Sequence, residues 1–154
     1  MPAFCRSVKT RSSRREDSDF AAPRCPTNLK QKARNMALIV HKYGGTSVGS
    51  PERIKNVAKR VAKARAEGHD IVVVVSAMSG ETNRLVALAH EMQEHPDPRE
   101  LDVVLATGEQ VTIGLLAMAL KDIGVDAKSY TGWQVALKTD TSHTKARIES
   151  IDDE

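Results

Sequence analysis

The chain has 154 residues, enough for one ordinary domain, and carries 23 Lys/Arg against 20 Asp/Glu. Residues 1–35 hold 9 basic and 3 acidic side chains, whereas residues 36–154 hold 14 and 17. The positive excess therefore sits in a leader, and with Phe4, Phe20, Tyr43, Tyr130 and Trp133 as the whole aromatic complement, the composition argues against a nucleic-acid-binding face, and no nucleic-acid partner is expected.

Residues 1–35 show no apolar period, so a disordered basic leader is expected there, an upstream extension of a domain that starts at Met36. The leader has no apolar run long enough for a signal peptide or a bilayer span, and no membrane partner is expected. Its acidic residues and missing amphipathic stripe argue against a transit peptide. Cys5 and Cys25 both lie in it. Residues 36–154 contain no cysteine, so no disulfide framework is expected and a reducing cytoplasm is the default location.

The apolar run Ala37–Val40 predicts a strand, and Lys42-Tyr43-Gly44-Gly45-Thr46-Ser47-Val48-Gly49-Ser50-Pro51 follows it. A strand thus feeds a glycine-rich turn and then a helix, at the sheet end where α/β folds bind ligands. Paired glycines, the hydroxyls of Thr46 and Ser47, a helix N-terminus and the charge of Lys42 suit a phosphate. The pattern is neither a Rossmann nor a Walker loop. Two readings stay open, a phosphate cradle and a structural turn beside a surface lysine.

Ser50 and Pro51 predict the start of a helix whose inward face carries Ile54, Val57, Ala58, Val61 and Ala62, and Gly68 predicts its end. Ile71–Val75 is an uninterrupted β-branched run, expected as a strand covered on both faces in a parallel sheet. Ser76–Arg84 reads as a second polar loop at the same sheet end. A helix with Leu85, Leu88, Ala89 and Met92 inward follows. His90 and His95 lie five apart, the wrong spacing for a zinc pair on one helix face, so no metal site is expected.

Asp97-Pro98-Arg99-Glu100 predicts a capped helix start. Thr107–Gln110 is expected to interrupt that helix before a largely buried stretch from Val111 to Ile123. Glu109 either complements a helix dipole or faces the crevice and binds a cation. Further on, Val125–Tyr130 is expected as a strand and Gln134–Leu137 as an extended piece. Thr144–Glu154 is expected to open a helix that has no following strand to pack on, which suggests a truncated domain.

Four segments together, Lys42–Ser47, Val74–Asn83, Thr107–Gln110 and Thr139-Asp140…His143…Ala146-Arg147-Ile148, strongly resemble the aspartate kinase family in order and spacing. The resemblance runs from about Met36 to the C-terminus. It implies a three-layer α/β/α sandwich of the amino-acid-kinase type, with a mostly parallel sheet, present only as its N-terminal half. The implied activity is ATP-dependent phosphorylation of the β-carboxylate of L-aspartate, the first step towards lysine, threonine and methionine. By resemblance Lys42 is the catalytic cation, and Lys42, Tyr43, Gly44, Gly45, Thr46, Ser47 and Ser76 surround the phosphates. Thr82, Asn83, Arg84 and Glu109 contact aspartate, with Glu109 on the α-ammonium.

Magnesium is expected to arrive with ATP. The full-length protein is expected to be a homo-oligomer. The adenine-binding half of the kinase domain and the ACT regulatory domains fall outside this sequence, so the reading expects a fragment inactive alone. The alternatives are a non-catalytic remnant that pairs with a full-length subunit, or another member of the amino-acid-kinase superfamily.

Overall fold

The computed structural model describes residues 3–6 and 36–151. Strand β1 is Ala3–Arg6, β2 is Leu38–Tyr43, helix α1 is Pro51–Ala66 and β3 is Asp70–Val75. Helices α2 (Glu81–Met92) and α3 (Pro98–Asp122) follow, then β4 (Lys128–Tyr130), β5 (Leu137–Thr139) and β6 (Ile148–Ile151). Two short 3-10 turns, Gly45–Val48 and Gly132–Val135, complete the order.

Four strands form one sheet in the order β2-β3-β1-β4, with β2 and β3 parallel and β1 antiparallel to β3 and to β4. Alternation along β2 and β3 divides the sheet into two faces. Ile39 and Tyr43 join Ile71, Val73 and Val75 on one face, in register, and pack against α1 and α3. The core there is completed by Ile54, Val57, Val61, Leu116 and Leu120. On the other face Leu38 and Val40 are 70% and 61% exposed. The fold is α/β as expected, with a single helical layer among the described residues. That explains why Val72 and Val74 are only half-buried although β3 reads as buried on both sides.

Local signals set several boundaries. Ser50 Oγ accepts from the Arg53 N–H at 3.3 Å, with Pro51 at the first helical position of α1. Gly68, at φ +98°, lets the chain leave that helix. Asp97 Oδ1 accepts from the N–H groups of Arg99 and Glu100 at 2.9 and 3.1 Å and starts α3.

Other expectations are corrected. No packed element is expected before Met36, yet β1 fills the position between β3 and β4. Backbone pairing there does not depend on an apolar period in the strand that is captured. The rest of the leader lies outside the described residues. In α2, Leu85 is buried but Leu88 and Met92 are 42% and 75% exposed, because α2 packs chiefly on α3 among the described residues. The break expected at Thr107–Gln110 is absent, and α3 runs unbroken for 25 residues. Gly108 is buried in it where the helix crosses the loop after β3.

The expected strand at Val125–Tyr130 shortens to β4, and Gln134–Val135 lie in the second 3-10 turn instead of an extended piece. The helix expected from Thr144 is instead the return strand of a hairpin, with β6 antiparallel to β5. Asp140 turns the chain by accepting from Ser142 N–H at 3.0 Å and Arg147 N–H at 3.3 Å. Thr144, at φ +66°, leaves helical space altogether. An unsupported C-terminal helix is therefore no longer an argument about truncation.

Candidate active site

Two loops leave the same end of the sheet because β2 and β3 run parallel. Ser76 N–H donates to the Tyr43 carbonyl at 3.2 Å, which extends the pairing by one bond and sets the loops side by side. Lys42 belongs to β2 itself rather than to the turn. It alternates with Tyr43, so it shares the open sheet face with Leu38 and Val40 and is exposed.

Beyond Gly44 the chain makes a 3-10 turn, closed by Ser47 N–H on the Gly44 carbonyl at 2.9 Å. Val48, fully buried, pins that turn to the core, and Thr46 and Ser47 stay exposed. The helix N-terminus lies one turn beyond the glycine pair, at Ser50 and Pro51 as the sequence predicts. Arg53 on α1 donates to the Thr46 carbonyl, a contact that the sequence reading missed.

The glycines divide by role. Gly44 has open space where a Cβ would stand, whereas a Cβ on Gly45 would meet the Ala77 carbonyl oxygen at 2.9 Å. A Cβ on Gly49 would meet Ser79 Cβ at 3.0 Å, and one on Gly108 would meet Ala77 Cβ at 3.0 Å. The loop after β3 is therefore held between the glycine turn on one side and α3 on the other. Gly45 is a close-packing glycine, and Gly44 is the one that leaves its surroundings free.

Glu109 closes this arrangement. Its Oε1 accepts from the Ala77 N–H at 3.3 Å, so a carboxylate in the middle of α3 reaches the end of β3. Its side chain is thus turned toward the loop after β3. Its position deep inside α3 removes the dipole argument, which needs a first turn.

Thr82, Asn83 and Arg84 lie in the first turn of α2, not in a loop, and all three are exposed. Gly80, at φ +83°, swings the chain into that helix. Arg84 is held by Glu81, with Nη2 on Oε1 at 2.7 Å and Nε on Oε2 at 3.0 Å. This hydrogen bond holds the Glu81 carboxyl below the usual carboxylate range and raises Arg84 above its ordinary value. The i,i+3 spacing of Glu81 and Arg84 is the signal that would have found the pair.

The structure thus brings Lys42, Tyr43, Gly44, Gly45, Thr46, Ser47, Ser76 and Glu109 to one end of the sheet, with Thr82–Arg84 one turn beyond Gly80. The Thr139…His143 motif goes elsewhere. Thr144 N–H donates to both Asp102 carboxylate oxygens at 2.9 and 3.1 Å, and His143 Nδ1 stands 3.3 Å from Oδ2. Among the described residues no group of three His, Cys, Asp or Glu side chains is placed to hold a metal ion.

The model of the amino acid kinase family matches residues 37–154. The chain belongs to that family. As an amino acid kinase domain it is 66% identical over 118 residues to the aspartokinase of Pseudomonas aeruginosa, covering 77% of this chain and 29% of that protein. It is 56% identical over 117 residues to aspartokinase 2 of Bacillus subtilis, covering 76% of this chain and 29% of that one. Among solved structures it is similar to aspartate kinase from Synechocystis, with a TM-score of 0.55 and 52% identity, over 56% of this chain and 15% of that chain. The chain spans less than a third of the length of the relatives it matches. The family match starts at the second residue of the domain expected from Met36.

Proposed function

We propose that this chain is the N-terminal part of the catalytic domain of an aspartate kinase. The complete protein would transfer the γ-phosphoryl group of ATP to the β-carboxylate of L-aspartate, in the cytoplasm, at the start of lysine, threonine and methionine synthesis. The observation that carries the reading is Glu109. A carboxylate placed at the crevice by the Ala77 N–H uses one oxygen in the fold and leaves the other for an ammonium group. The named aspartokinases, similar at 48–68% identity, support the substrate class.

In the transfer a β-carboxylate oxygen of aspartate bonds to the γ-phosphorus while the bond to the ADP oxygen breaks. No proton has to move, so the protein acts by positioning and by meeting charge. Lys42 would face the transferring group, beside the Gly44–Ser47 turn and Ser76. Thr82, Asn83 and Arg84 would meet the substrate carboxylates at the start of α2. For Arg84 this requires an exchange of partners, since Glu81 now occupies its donor edge. Magnesium would arrive with ATP and would supply charge neutralisation on the phosphates.

The test replaces the matching segment of the Pseudomonas aeruginosa aspartokinase with residues 37–154 of this chain. Aspartyl phosphate, trapped as the hydroxamate, should form at a rate comparable to that of the parent. A folded, soluble chimera that hydrolyses or transfers nothing with aspartate would reject the reading.

A further inference from the structure

One contact at this end of the sheet has no part in the proposed transfer. Arg53 stands exposed on the first turn of α1, its backbone N–H held by Ser50 Oγ at 3.3 Å. Its side chain reaches back seven residues, and Nη1 donates to the Thr46 carbonyl. Among the described residues Arg53 pairs with no carboxylate. Its partner is a backbone oxygen, and a cationic donor bonds such an oxygen more strongly than a neutral one.

That oxygen begins a chain of bonds. Thr46 C=O and Ser47 N–H are the two ends of one peptide group, and the Ser47 N–H donates to the Gly44 carbonyl at 2.9 Å. Gly44 C=O in turn shares a peptide with the Gly45 N–H, which donates to no group among the described residues. The charge of Arg53 thus acts through two peptide groups and the bond between them on an open donor at the glycine pair. Bonds linked in this way polarise one another. The turn has no side-chain cap of its own. Val48 anchors it from below, and the Gly45 and Thr46 carbonyl oxygens would stand 3.2 and 3.6 Å from a Cβ on Gly49. Those restraints are steric, so the polar hold on the Thr46–Ser47 peptide falls to Arg53.

We propose that Arg53 is a positioning residue for phosphoryl transfer, which fixes the glycine turn and polarises its open Gly45 N–H towards the charge of the phosphoryl group. The identity of that anion rests on the aspartate kinase reading, whereas the hold on the turn does not. Arg53 acts here through the turn and touches no reacting atom. A side chain without charge at this position leaves the turn in place but loosens its peptide planes.

Deuterium uptake by the full 154-residue chain measures the hold without any activity. In Arg53→Met, which keeps an aliphatic stem, the Ser47 amide should exchange several-fold faster, and the amides of β2 and β3 should not change. In the chimera with the Pseudomonas aeruginosa aspartokinase, Arg53→Met should lower kcat about tenfold and leave KM for aspartate within about twofold. Arg53→Lys restores a charged donor and should recover most of that loss. Unchanged exchange at Ser47, an unchanged kcat in Arg53→Met, or an equal loss in Arg53→Lys overturns the proposal. A chimera inactive with Arg53 in place rejects the catalytic reading instead, and the exchange at Ser47 then decides whether Arg53 holds the turn.

Discussion

Single atoms decide what the crevice residues can do. A Cβ at position 45 would lie 2.9 Å from a backbone oxygen, and one at position 44 would meet nothing within 4 Å. Gly45→Ala is therefore expected to destabilise the chain by about 1–3 kcal/mol as the loop after β3 is forced away. Gly44→Ala, whose φ of −76° any residue can adopt, should stay within about 0.5 kcal/mol. Thermal unfolding of the two variants measures the contrast, and equal losses would mean that Gly45 is not wedged. The two charged residues also separate, within the chimera that carries the proposed activity. Lys42→Ala should lower kcat by about 10²–10³-fold, because its interaction strengthens as the phosphoryl group transfers. Glu109→Gln should mainly raise KM for aspartate and leave that for ATP near its original value, since the α-ammonium does not change in the reaction. A normal aspartate KM in Glu109→Gln would take that side chain out of the substrate site.

Elements that are set by neighbours in sequence were legible from the residues, and those set by distant partners were not. Ser50-Pro51 and Asp97-Pro98 announce α1 and α3 because caps act within one turn. The β-branched run of β3 and the return through Gly68 and Gly124 are local in the same way. Gly108 misled because its reason is a loop 31 positions away, at Ala77, and a glycine in a helix carries no mark of close approach. The C-terminal segment has a helix-forming composition, and a hairpin prevails there through Asp140 and through Asp102 on a different element. That last contact makes a prediction. Asp102→Ala removes the acceptor of the Thr144 N–H and the partner of His143, so the hairpin of β5 and β6 should loosen from α3. Trypsin should then cut at Lys145 and Arg147 several-fold faster, with the helical signal unchanged. Unaltered cleavage would show that the hairpin holds itself.

At the scale of the whole molecule the sheet is continuous only through β1. That strand supplies every ladder bond between β3 and β4, which have no direct pairing. Without it β4 keeps its place chiefly by packing on α3, among the described residues. Deletion of residues 1–6 is accordingly expected to lower the melting temperature by several degrees and to leave α1 and α2 intact by amide exchange. An unchanged melting curve would mean that the leader contributes nothing to the sheet, as its composition alone suggests. The same sheet presents Leu38, Val40 and Lys42 on a face with no helical layer among the described residues. Leu38 and Val40 thus leave an apolar surface open beside the proposed catalytic lysine.

The bond from the Ala77 amide to Glu109 turns one proton into an instrument. A cation that arrives at the free oxygen draws electron density from the carboxylate and weakens its hold on that proton. Titration with aspartate should therefore move the Ala77 amide resonance upfield in a nitrogen–proton correlation spectrum, before any phosphate is transferred. Methylamine, which has the positive charge but none of the carboxylates, should move it in the same direction at higher concentration. Succinate, which has the carboxylates but no ammonium group, should leave it in place. The crevice would then report on its occupant through a single line in a spectrum, without a turnover assay.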